Sequence, residues 1–359
     1  MLARIHSAQQ EATRTLWRKE TTMHQLSGTA GLVLLLTFAA YLASVGVNVG
    51  QAKDIPEYPP LPKAVSNPGA AVCDGWVYVY GGHTGQPHVY SREDILGTFH
   101  RLKLDGGTAW EELPGDVALL GPALVAHQGK LYRLGGTQAR NRPGEENDLL
   151  SVTSCAVYDA AKREWQALPD LPDGRSSHDA VVLGNRIYVV GGWRLQGKGE
   201  PPRWHDTALV LDLDRPQAGW RTISQPFRGR AFAAAAYRGR VYVIGGLRPN
   251  EKMPTLAVHI YNPQTNTWST GPQMPGDARN GFSPACCVAG DQLYLSPADG
   301  KTYRLADGGW QEVARLTRPR FTHRLVAVDS DKLLAIGGTS PKDQSKIAEV
   351  ELVSVKPSR

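Results

Sequence analysis

The sequence predicts an all-β fold made of six similar four-stranded units. Three features predict it: a hairpin recurs six times, a Gly-Gly pair ends its second strand in five copies, and a tryptophan follows in five copies. The clearest copy runs from Arg175 to Trp193, with apolar runs at 180–183 and 187–190 joined by Gly184-Asn185. Two β-branched runs joined by a Gly/Asn turn are typical of a β-hairpin.

Composition narrows the class of protein. The 359 residues carry 40 Lys and Arg against 34 Asp and Glu, a net charge of +6, and the charges are well mixed. Because no dense basic run with interleaved aromatics is present, we expect no nucleic-acid partner. The length is enough for one large or two ordinary domains, and the 38 glycines and 25 prolines fit many short strands and turns.

Four cysteines are present: Cys73, Cys155, Cys286 and Cys287. None forms a C-x-x-C pair, so a structural zinc site is not expected, and four are too few for a disulfide framework. We interpret them as buried free thiols, while one bridge from Cys73 or Cys155 to the 286–287 pair stays open. The histidines show no metal-ligand spacing either, so neither a metal nor a cofactor is expected.

We divide the chain into a basic and polar segment (1–28), a hydrophobic segment (29–52) and one β-domain (53–359). The hydrophobic segment lies in a stretch from Thr21 to Ala52 that contains no Asp, Glu, Lys or Arg. We therefore expect one N-terminal hydrophobic helix ahead of the β-domain.

Two interpretations of this helix stay open. It is either a membrane anchor through 29–49 with its basic N-terminus in the cytoplasm, or a signal peptide cleaved near Ala52. Met23 is an alternative start that would shorten the basic region to an ordinary length for a signal peptide. Both interpretations predict that residues from 53 onward are exported, to the periplasm or the outside of the cell.

The repeat has a period that predicts a β-propeller. The first-glycine positions of successive copies step by 54, 56, 54, 52 and 40 residues. The unit contains four strands, and a period near 50 is longer than that of WD-type propellers. The fifth copy carries Pro297-Ala298 instead of the glycines. The five pairs are Gly81-Gly82, Gly135-Gly136, Gly191-Gly192, Gly245-Gly246 and Gly337-Gly338.

The first five copies continue with a third strand, a short turn and an aromatic residue. This aromatic residue is interpreted as structural, since a large apolar ring suits a wedge between adjacent sheets. The tryptophans are Trp110, Trp165, Trp220, Trp268 and Trp310. A Gly-Gly pair, a Tyr in the third strand and a Trp in the fourth resemble the kelch repeat, over roughly residues 56–355. The resemblance implies a six-bladed kelch-type β-propeller.

The sixth copy ends after its third strand and has no Trp. Residues 56–62 are predicted to supply its missing fourth strand, with Tyr58 in the place of the Trp. Such closure joins the two ends of the ring and removes exposed sheet edges. We expect a single domain and a monomer.

Topology predicts which face of the propeller carries a site. In units whose strands are a to d, the b–c loops share a face with the d–a linkers. The long polar loops are all b–c loops, at 83–98, 137–153, 193–207 and 247–255. The d–a linkers carry a recurring basic residue, and two carry a histidine just beyond it. These residues are Arg175, Arg230, Arg279, Arg320, His178 and His323, with Lys63 roughly in phase.

The recurring arginines have two interpretations. As a ring near the pore they would bind a carboxylate or another anion through forked hydrogen bonds. Alternatively they tie one blade to the next through backbone carbonyls or through acids such as Asp173 and Asp277. Trp193, directly after a Gly-Gly pair, is either a stacking platform for a ligand ring or a loop anchor.

Two function hypotheses follow. The chain contains no G-x-S-x-G, H-E-x-x-H or phosphate-binding glycine loop, which favours a non-enzymatic module that binds an unknown protein, anion or glycan through the b–c and d–a loop face. The alternative rests on resemblance to exported six-bladed kelch proteins that are sialic acid mutarotases. It implies an epimerase or mutarotase acting on N-acetylneuraminate, with His178 or His323 and an acid such as Asp173 as its acid/base pair.

Overall fold

The computed structural model describes residues 58–355. The segments 1–28 and 29–52, and with them the expected hydrophobic helix, lie outside the described residues. Within 58–355 no helix is long and apolar enough to cross a membrane. These residues form strands, turns and two short 3₁₀ helices, Pro216–Ala218 and Ala278–Gly281.

The strands form six main sheets and two small ribbons. The first sheet contains β1 (Gly69–Cys73), β2 (Trp76–Tyr80), β3 (Phe99–Lys103) and β4 (Glu111–Leu113). The second contains β5 (Ala123–His127), β6 (Lys130–Leu134), β9 (Cys155–Asp159) and β10 (Glu164–Ala167), with a ribbon of β7 (Thr137–Ala139) and β8 (Leu149–Ser151) in its b–c loop. The third contains β11 (Asp179–Val182), β12 (Arg186–Val190), β15 (Thr207–Asp212) and β16 (Arg221–Ser224), with a ribbon of β13 (Trp193–Arg194) and β14 (Arg203–Trp204).

The remaining sheets follow the same order. The fourth contains β17 (Ala233–Tyr237), β18 (Arg240–Ile244), β19 (Val258–Asn262) and β20 (Thr267–Thr270). The fifth contains β21 (Ala285–Ala289), β22 (Gln292–Ser296), β23 (Lys301–Ala306) and β24 (Gly309–Arg315). The sixth contains β25 (Arg324–Ala327), β26 (Lys332–Ile336) and β27 (Val350–Ser354).

The first strands of the six sheets line the centre of a ring. Each contacts the first strand of the next sheet, and β25 contacts β1. All pairings within the main sheets are antiparallel between successive strands. The predicted six-bladed propeller is therefore confirmed.

The core lies between adjacent sheets because both faces of each strand are apolar. In β12, Ile187 and Val189 are buried against the second sheet, whereas Tyr188 and Val190 are buried against the fourth. This is the two-residue period of a strand. Each sheet is thus covered on both sides, which explains the nearly continuous apolar runs in the sequence.

The repeated tryptophans link neighbouring sheets. The indole N–H of Trp165 donates a hydrogen bond of 2.9 Å to the carbonyl of Pro114, at the end of the preceding sheet. The equivalent bonds are Trp110 to Pro59, Trp220 to Pro169, Trp268 to Ser224 and Trp310 to Pro272. A ring that is half buried between sheets thus has its one polar atom satisfied.

The second glycine of each pair binds the linker of the next sheet. The N–H of Gly192 donates to the carbonyl of Gly229 at 2.7 Å, in a backbone conformation with φ of 88°. A Cβ at Gly192 would lie 2.7 Å from the carbonyl oxygen of Ser176, so only glycine fits. The same bond recurs as Gly82 to Leu119, Gly136 to Arg175, Gly246 to Gly281 and Gly338 to Val65.

The last of these bonds closes the ring, and the predicted fourth strand does not. The sixth sheet has three strands in the described part of the chain, and residues 58–62 belong to no strand. Residues 56 and 57 lie outside the described range. The ends meet instead through Gly338 N–H to Val65, at 2.7 Å, and through the linker bond from Asn67 N–H to Thr322, at 2.8 Å.

The alignment of Tyr58 with the tryptophans is wrong. Pro59 accepts the Trp110 indole bond as Pro114 accepts that of Trp165, so Tyr58 is equivalent to Leu113 and lies three positions past the Trp position. It is buried in the core that contains Val350 of the sixth sheet. The error arose from the spacing. In the correct alignment, residues 58–62 match the Leu-Pro-x-Leu-Pro segment at 168–172, and Tyr58 takes the place of its first leucine.

Candidate functional site

The b–c loops and the d–a linkers lie together on one face. In five sheets the residue after the Gly-Gly pair forms an antiparallel bridge with a linker residue. These bridges are His83 with Ser66, Thr137 with Leu120, Trp193 with Ser176, Leu247 with Arg230 and Thr339 with Phe321. We call this surface the loop face.

A circle of backbone hydrogen bonds surrounds the pore on the loop face. Each linker contains one residue with φ between 45° and 61°, just before the first strand of its sheet. Its N–H donates to the carbonyl of the equivalent residue in the preceding linker, and five of the six links form within the described residues. They are Asn67 to Thr322, Gly121 to Asn67, Ala231 to Ser177, Ser283 to Ala231 and Thr322 to Ser283.

The left-handed residue of each linker gives a common reference position along the chain. The four predicted arginines do not lie at the same distance from it. Arg175 and Arg320 lie two positions before the left-handed residue of their linkers. Arg230 lies one position before it, and Arg279 lies four positions before. The four side chains therefore do not form a symmetric ring around the pore.

The two equivalent arginines are buried and structural. Arg175 Nη1 donates to the carbonyls of Gly191, at 2.6 Å, and Thr207, at 2.8 Å. Arg320 bonds the carbonyl of Gly337 in the same way and forms an ion pair with Glu351 at 2.9 Å. Burial lowers the pKa of Arg175 to about 9, with the carboxylate of Asp206 opposing the shift. These contacts match the inter-blade alternative considered from the sequence.

Arg279 is paired near the surface. Its Nη2 lies 2.9 Å from an oxygen of Asp277, the acid beside it in the sequence. The two share a short turn at the start of a 3₁₀ helix. Arg279 is therefore neutralised locally.

The two histidines do not form an acid/base pair on the loop face. His178 and His323 are buried between sheets, where Nε2 of His178 lies 3.1 Å from the carbonyl of Leu134 and Nε2 of His323 lies 3.2 Å from the hydroxyl of Ser296. Burial lowers the pKa of His178 to about 3 and that of His323 well below its usual value. Asp173 is instead ion-paired with arginines of β13 and β14.

Arg230 differs from the other three. Its guanidinium carbon lies 3.8 Å from the ring centre of Trp193 and 5.5 Å from that of Trp204. The two indoles pack edge to face at 5.6 Å, because they are paired opposite each other in the β13–β14 ribbon. Within residues 58–355 no hydrogen bond or ion pair satisfies the Arg230 side chain, and its Nε is buried.

Tyr90, from the first b–c loop, lies near enough to interact electrostatically with Arg230. Burial raises the pKa of its hydroxyl, and the nearby Arg230 guanidinium opposes the shift. The loop is held in place by the second loop, since Asn147 Oδ1 accepts the Tyr90 N–H at 3.0 Å and Asn141 donates to the Tyr90 carbonyl at 2.6 Å. Burial lowers the pKa of Arg230 to about 10, so the guanidinium stays charged at neutral pH. We call Arg230, Trp193, Trp204 and Tyr90 the Arg230 cluster.

Metal-ligating side chains do not cluster in the described part of the chain. Within residues 58–355 there is no group of three or more His, Cys, Asp or Glu placed to hold a metal ion. All four cysteines are free thiols, so the disulfide that was left open does not form.

Comparison with known proteins identifies the family. A family model described as the KLHDC2/KLHL20/DRC7 Kelch-repeats domain matches residues 121–338, more than half of the chain. The chain belongs to the kelch-repeat family. This kelch propeller is also similar to the solved structure of YjhT, with a TM-score of 0.67 and 15% identity over 84% of this chain and 98% of that one. At that identity the likeness shows the fold alone.

Curated relatives match only part of their own length. Kelch repeat and BTB domain-containing protein 12 of Homo sapiens is 27% identical over 65% of this chain and 37% of its own length. Kelch-like protein terF of Aspergillus terreus is 24% identical over 61% of this chain and 47% of its own. N-(sulfonatooxy)prop-2-enimidothioate sulfolyase of Thlaspi arvense is 29% identical over 58% and 62%. The kelch chain thus spans less than two thirds of the length of each relative.

Sequence reasoning missed Tyr90 and Trp204. Both lie in b–c loops, where no repeat position marks them. A signal for Trp204 was available, since Trp193 and Trp204 bracket a segment with Gly197, Gly199 and two prolines, a composition typical of a hairpin turn. Nothing in the sequence places Tyr90 of the first loop beside Arg230 of the fourth linker.

Proposed function

We propose that this kelch propeller is a ligand-binding module and that Arg230 is the anion-binding centre of its loop face. The observation that carries the proposal is the half-buried guanidinium without an acidic or carbonyl partner among residues 58–355. Leaving a buried donor unsatisfied costs about 1–3 kcal/mol. A ligand oxygen that accepts from Arg230 removes this cost.

The chemistry of the Arg230 cluster favours a planar anion. A guanidinium held over an indole face keeps its forked donors for two oxygens of a carboxylate or a similar group. Trp204 and Tyr90 add apolar and hydroxyl surface around it, and the indole N–H of Trp193 is a further buried donor with no partner in the described chain. Kelch propellers commonly bind proteins, so an acidic protein segment is one proposed ligand. An anionic glycan is the other.

We also propose that the propeller acts outside the cytoplasmic membrane, either anchored or cleaved. Support comes from the uncharged stretch 21–52 of the sequence. Protease added to spheroplasts should degrade an anchored propeller, and a cleaved one should appear in the released periplasmic fraction or the medium. Mass spectrometry of the mature N-terminus distinguishes a retained anchor from cleavage near Ala52. Full protection by the cell membrane would contradict export.

A peptide and glycan array tests the binding site. For the array ligands that bind the parent protein, the Arg230→Gln variant should give a signal at least tenfold lower, because the forked contact is removed. Arg215→Gln is the matched control, since Arg215 is 81% exposed in the turn between β15 and β16, on the opposite face. Ligands that bind all three proteins equally would exclude Arg230 as the anion site.

The alternative is a mutarotase acting on N-acetylneuraminate. The unpaired Arg230 beside two indoles that pack edge to face suits a carboxylated sugar, which is the observation that favours it. His178 and His323 are buried, so this alternative needs another acid/base residue, and we propose Tyr90 because its hydroxyl interacts with Arg230. Proton NMR of anomer exchange in N-acetylneuraminate, with the parent and Tyr90→Phe, tests this alternative. No acceleration at micromolar protein would end it.

A further inference from the structure

An open groove of about 580 Å³ lies beside the third sheet on the loop face. Its walls come from the linker 172–175, the loop 202–207 and Arg228, and its floor includes Leu209 and Thr222 of β15 and β16. Sites for small ligands typically enclose 300–1,000 Å³. The groove therefore has the size of a binding site, although no motif in the sequence marks it.

Positive charge exceeds negative charge along this groove. Arg175, Arg203 and Arg228 line it, together with Asp173 and Asp206. Asp206 lies 3.2 Å from Arg228, and Asp173 contacts Arg203. Arg175 hydrogen-bonds to uncharged oxygens, and its charge also interacts with the Asp206 carboxylate that Arg228 contacts. The side chains of Arg203 and Arg228 are 59% and 57% exposed, which leaves them accessible to a ligand.

Trp204 supplies an aromatic wall and joins the groove to the Arg230 cluster. Its half-buried ring lines the groove, and the same ring lies 5.5 Å from the guanidinium carbon of Arg230. Aromatic rings present an apolar face against which the apolar face of a sugar ring can pack. The groove thus continues the proposed site toward the edge of the propeller.

Part of the backbone along the groove is already hydrogen-bonded within the protein. The carbonyls of Gly174, Thr207 and Asp206 each accept a hydrogen bond from within the protein, at 3.0, 2.8 and 3.0 Å. Pro172 and Pro202 have no N–H to offer. A peptide added as a strand needs unpaired main-chain groups, which these residues do not provide. The donors left for a ligand belong to side chains, which suits the hydroxyl and acid groups of a saccharide.

We propose that the groove binds an acidic oligosaccharide, carboxylated or sulfated, with a sugar ring on Trp204 and its acid groups on Arg203 and Arg228. The proposal rests on the proposed function, because it extends the anion site of the loop face. Its own contacts involve neither Arg230 nor the pore. The two can therefore be tested separately.

Isothermal titration calorimetry of the full chain at low ionic strength provides the test. The probes are hexagalacturonate for the carboxylate source and a heparin hexasaccharide for the sulfate source. Methyl-esterified hexagalacturonate removes the charge while keeping the rings, and hexaglutamate keeps the charge on a peptide. The variants are Arg203→Gln/Arg228→Gln, Arg230→Gln and the control Arg215→Gln.

We expect the parent and Arg215→Gln to bind at least one acidic hexasaccharide, and the double variant to bind it at least tenfold more weakly. The esterified probe and hexaglutamate should also bind at least tenfold more weakly to the parent. Arg203→Lys/Arg228→Lys, which keeps the charge without the fork, should recover part of the affinity.

Different results separate the two proposals. Binding that Arg230→Gln abolishes but the groove variants leave unchanged would overturn the groove while supporting the Arg230 site. Equal affinity for hexaglutamate or for the ester would overturn saccharide or charge recognition, respectively. Failure of the parent to bind either acidic hexasaccharide would overturn the groove proposal. The array with Arg230→Gln would still test Arg230 as the anion-binding centre.

Discussion

The guanidinium of Arg324, on β25, donates a hydrogen bond of 3.1 Å to Asp179, on β11, and so joins the sixth sheet to the third across the pore. The same guanidinium donates to the carbonyl of Pro68 at 2.9 Å and to that of Pro122 at 3.4 Å. Asp179 in turn accepts the N–H of Ala234 at 2.9 Å. Five of the six sheets or their linkers therefore meet at one ion pair, beside a cavity of about 90 Å³.

This ion pair should stabilise the ring. Asp179→Asn should lower the free energy of unfolding by about 1–3 kcal/mol, because it leaves Arg324 partly buried without its counter-charge. Adding Arg324→Gln should cost less than the sum of the single changes. Urea denaturation of the two single variants and the double variant measures these free energies of unfolding. The control is Glu251→Gln, which removes a surface ion pair with Arg248 at 3.7 Å. Additive effects would show that the two side chains act independently.

The Gly-Gly turn should tolerate no side chain at its second position. Gly192→Ala should be several kcal/mol less stable than the parent, since the new Cβ would meet the carbonyl of Ser176 and disturb the bond to Gly229. Gly184→Ala is the matched control. Its φ is also positive, at 59°, but nothing lies within 4 Å of its Cβ position, so it should cost only about 1–2 kcal/mol. Equal losses in urea denaturation would assign the whole effect to backbone conformation.

The junction of the chain ends should depend on residues 58–62. Tyr58 and Leu61 are buried in the core shared with Val350 of the sixth sheet, and Leu61 N–H donates to Ala348 at 2.8 Å. A chain that starts at residue 63 should therefore unfold at a lower urea concentration than one that starts at residue 56. Leu61→Ala should cost about 2–5 kcal/mol by itself. Identical melting of the two truncated chains would refute this junction.

Buried histidines should make the propeller sensitive to acid. The pKa of His178 is about 3 in the fold, and that of the unfolded chain is about 6.5. As the pH falls below 6.5 the unfolded state binds the proton first, so stability is full above this value and is lost toward pH 3. At pH 5 the loss is roughly 2 kcal/mol for His178, and the lowered pKa of His323 acts in the same direction.

Replacing the imidazole tests this acid sensitivity. Phe232 occupies the position equivalent to His178 in the fourth sheet, so His178→Phe is a change that the repeat already accommodates. Urea denaturation at pH 7 and pH 5 should show a smaller loss for the variant than for the parent. An unchanged loss would assign the acid sensitivity to other groups.

The fold was predictable because its signals are local and periodic. The Gly-Gly pairs, the apolar hairpins and the tryptophans recur in the same order, although the spacing shortens from 54 residues at first to 40 at the end, and each copy reinforces the same interpretation of the others. The common position of b–c loops and d–a linkers followed from strand direction alone. Tyr58 was misplaced because one copy is split between the two ends of the chain, where the periodic comparison is weakest.

The candidate site was not predictable in the same way. The linkers differ in length, and Arg175 and Arg230 differ by one position within them. Arg175 is buried and hydrogen-bonds to backbone carbonyls, whereas Arg230 faces two indoles. Tyr90 and Trp204 reach Arg230 from loops of the first and third sheets, and no repeat position records that approach. The sequence by itself determined the ring and the face that carries its loops. The tertiary structure decided which arginine is left without a partner, because that depends on contacts between segments far apart in the chain.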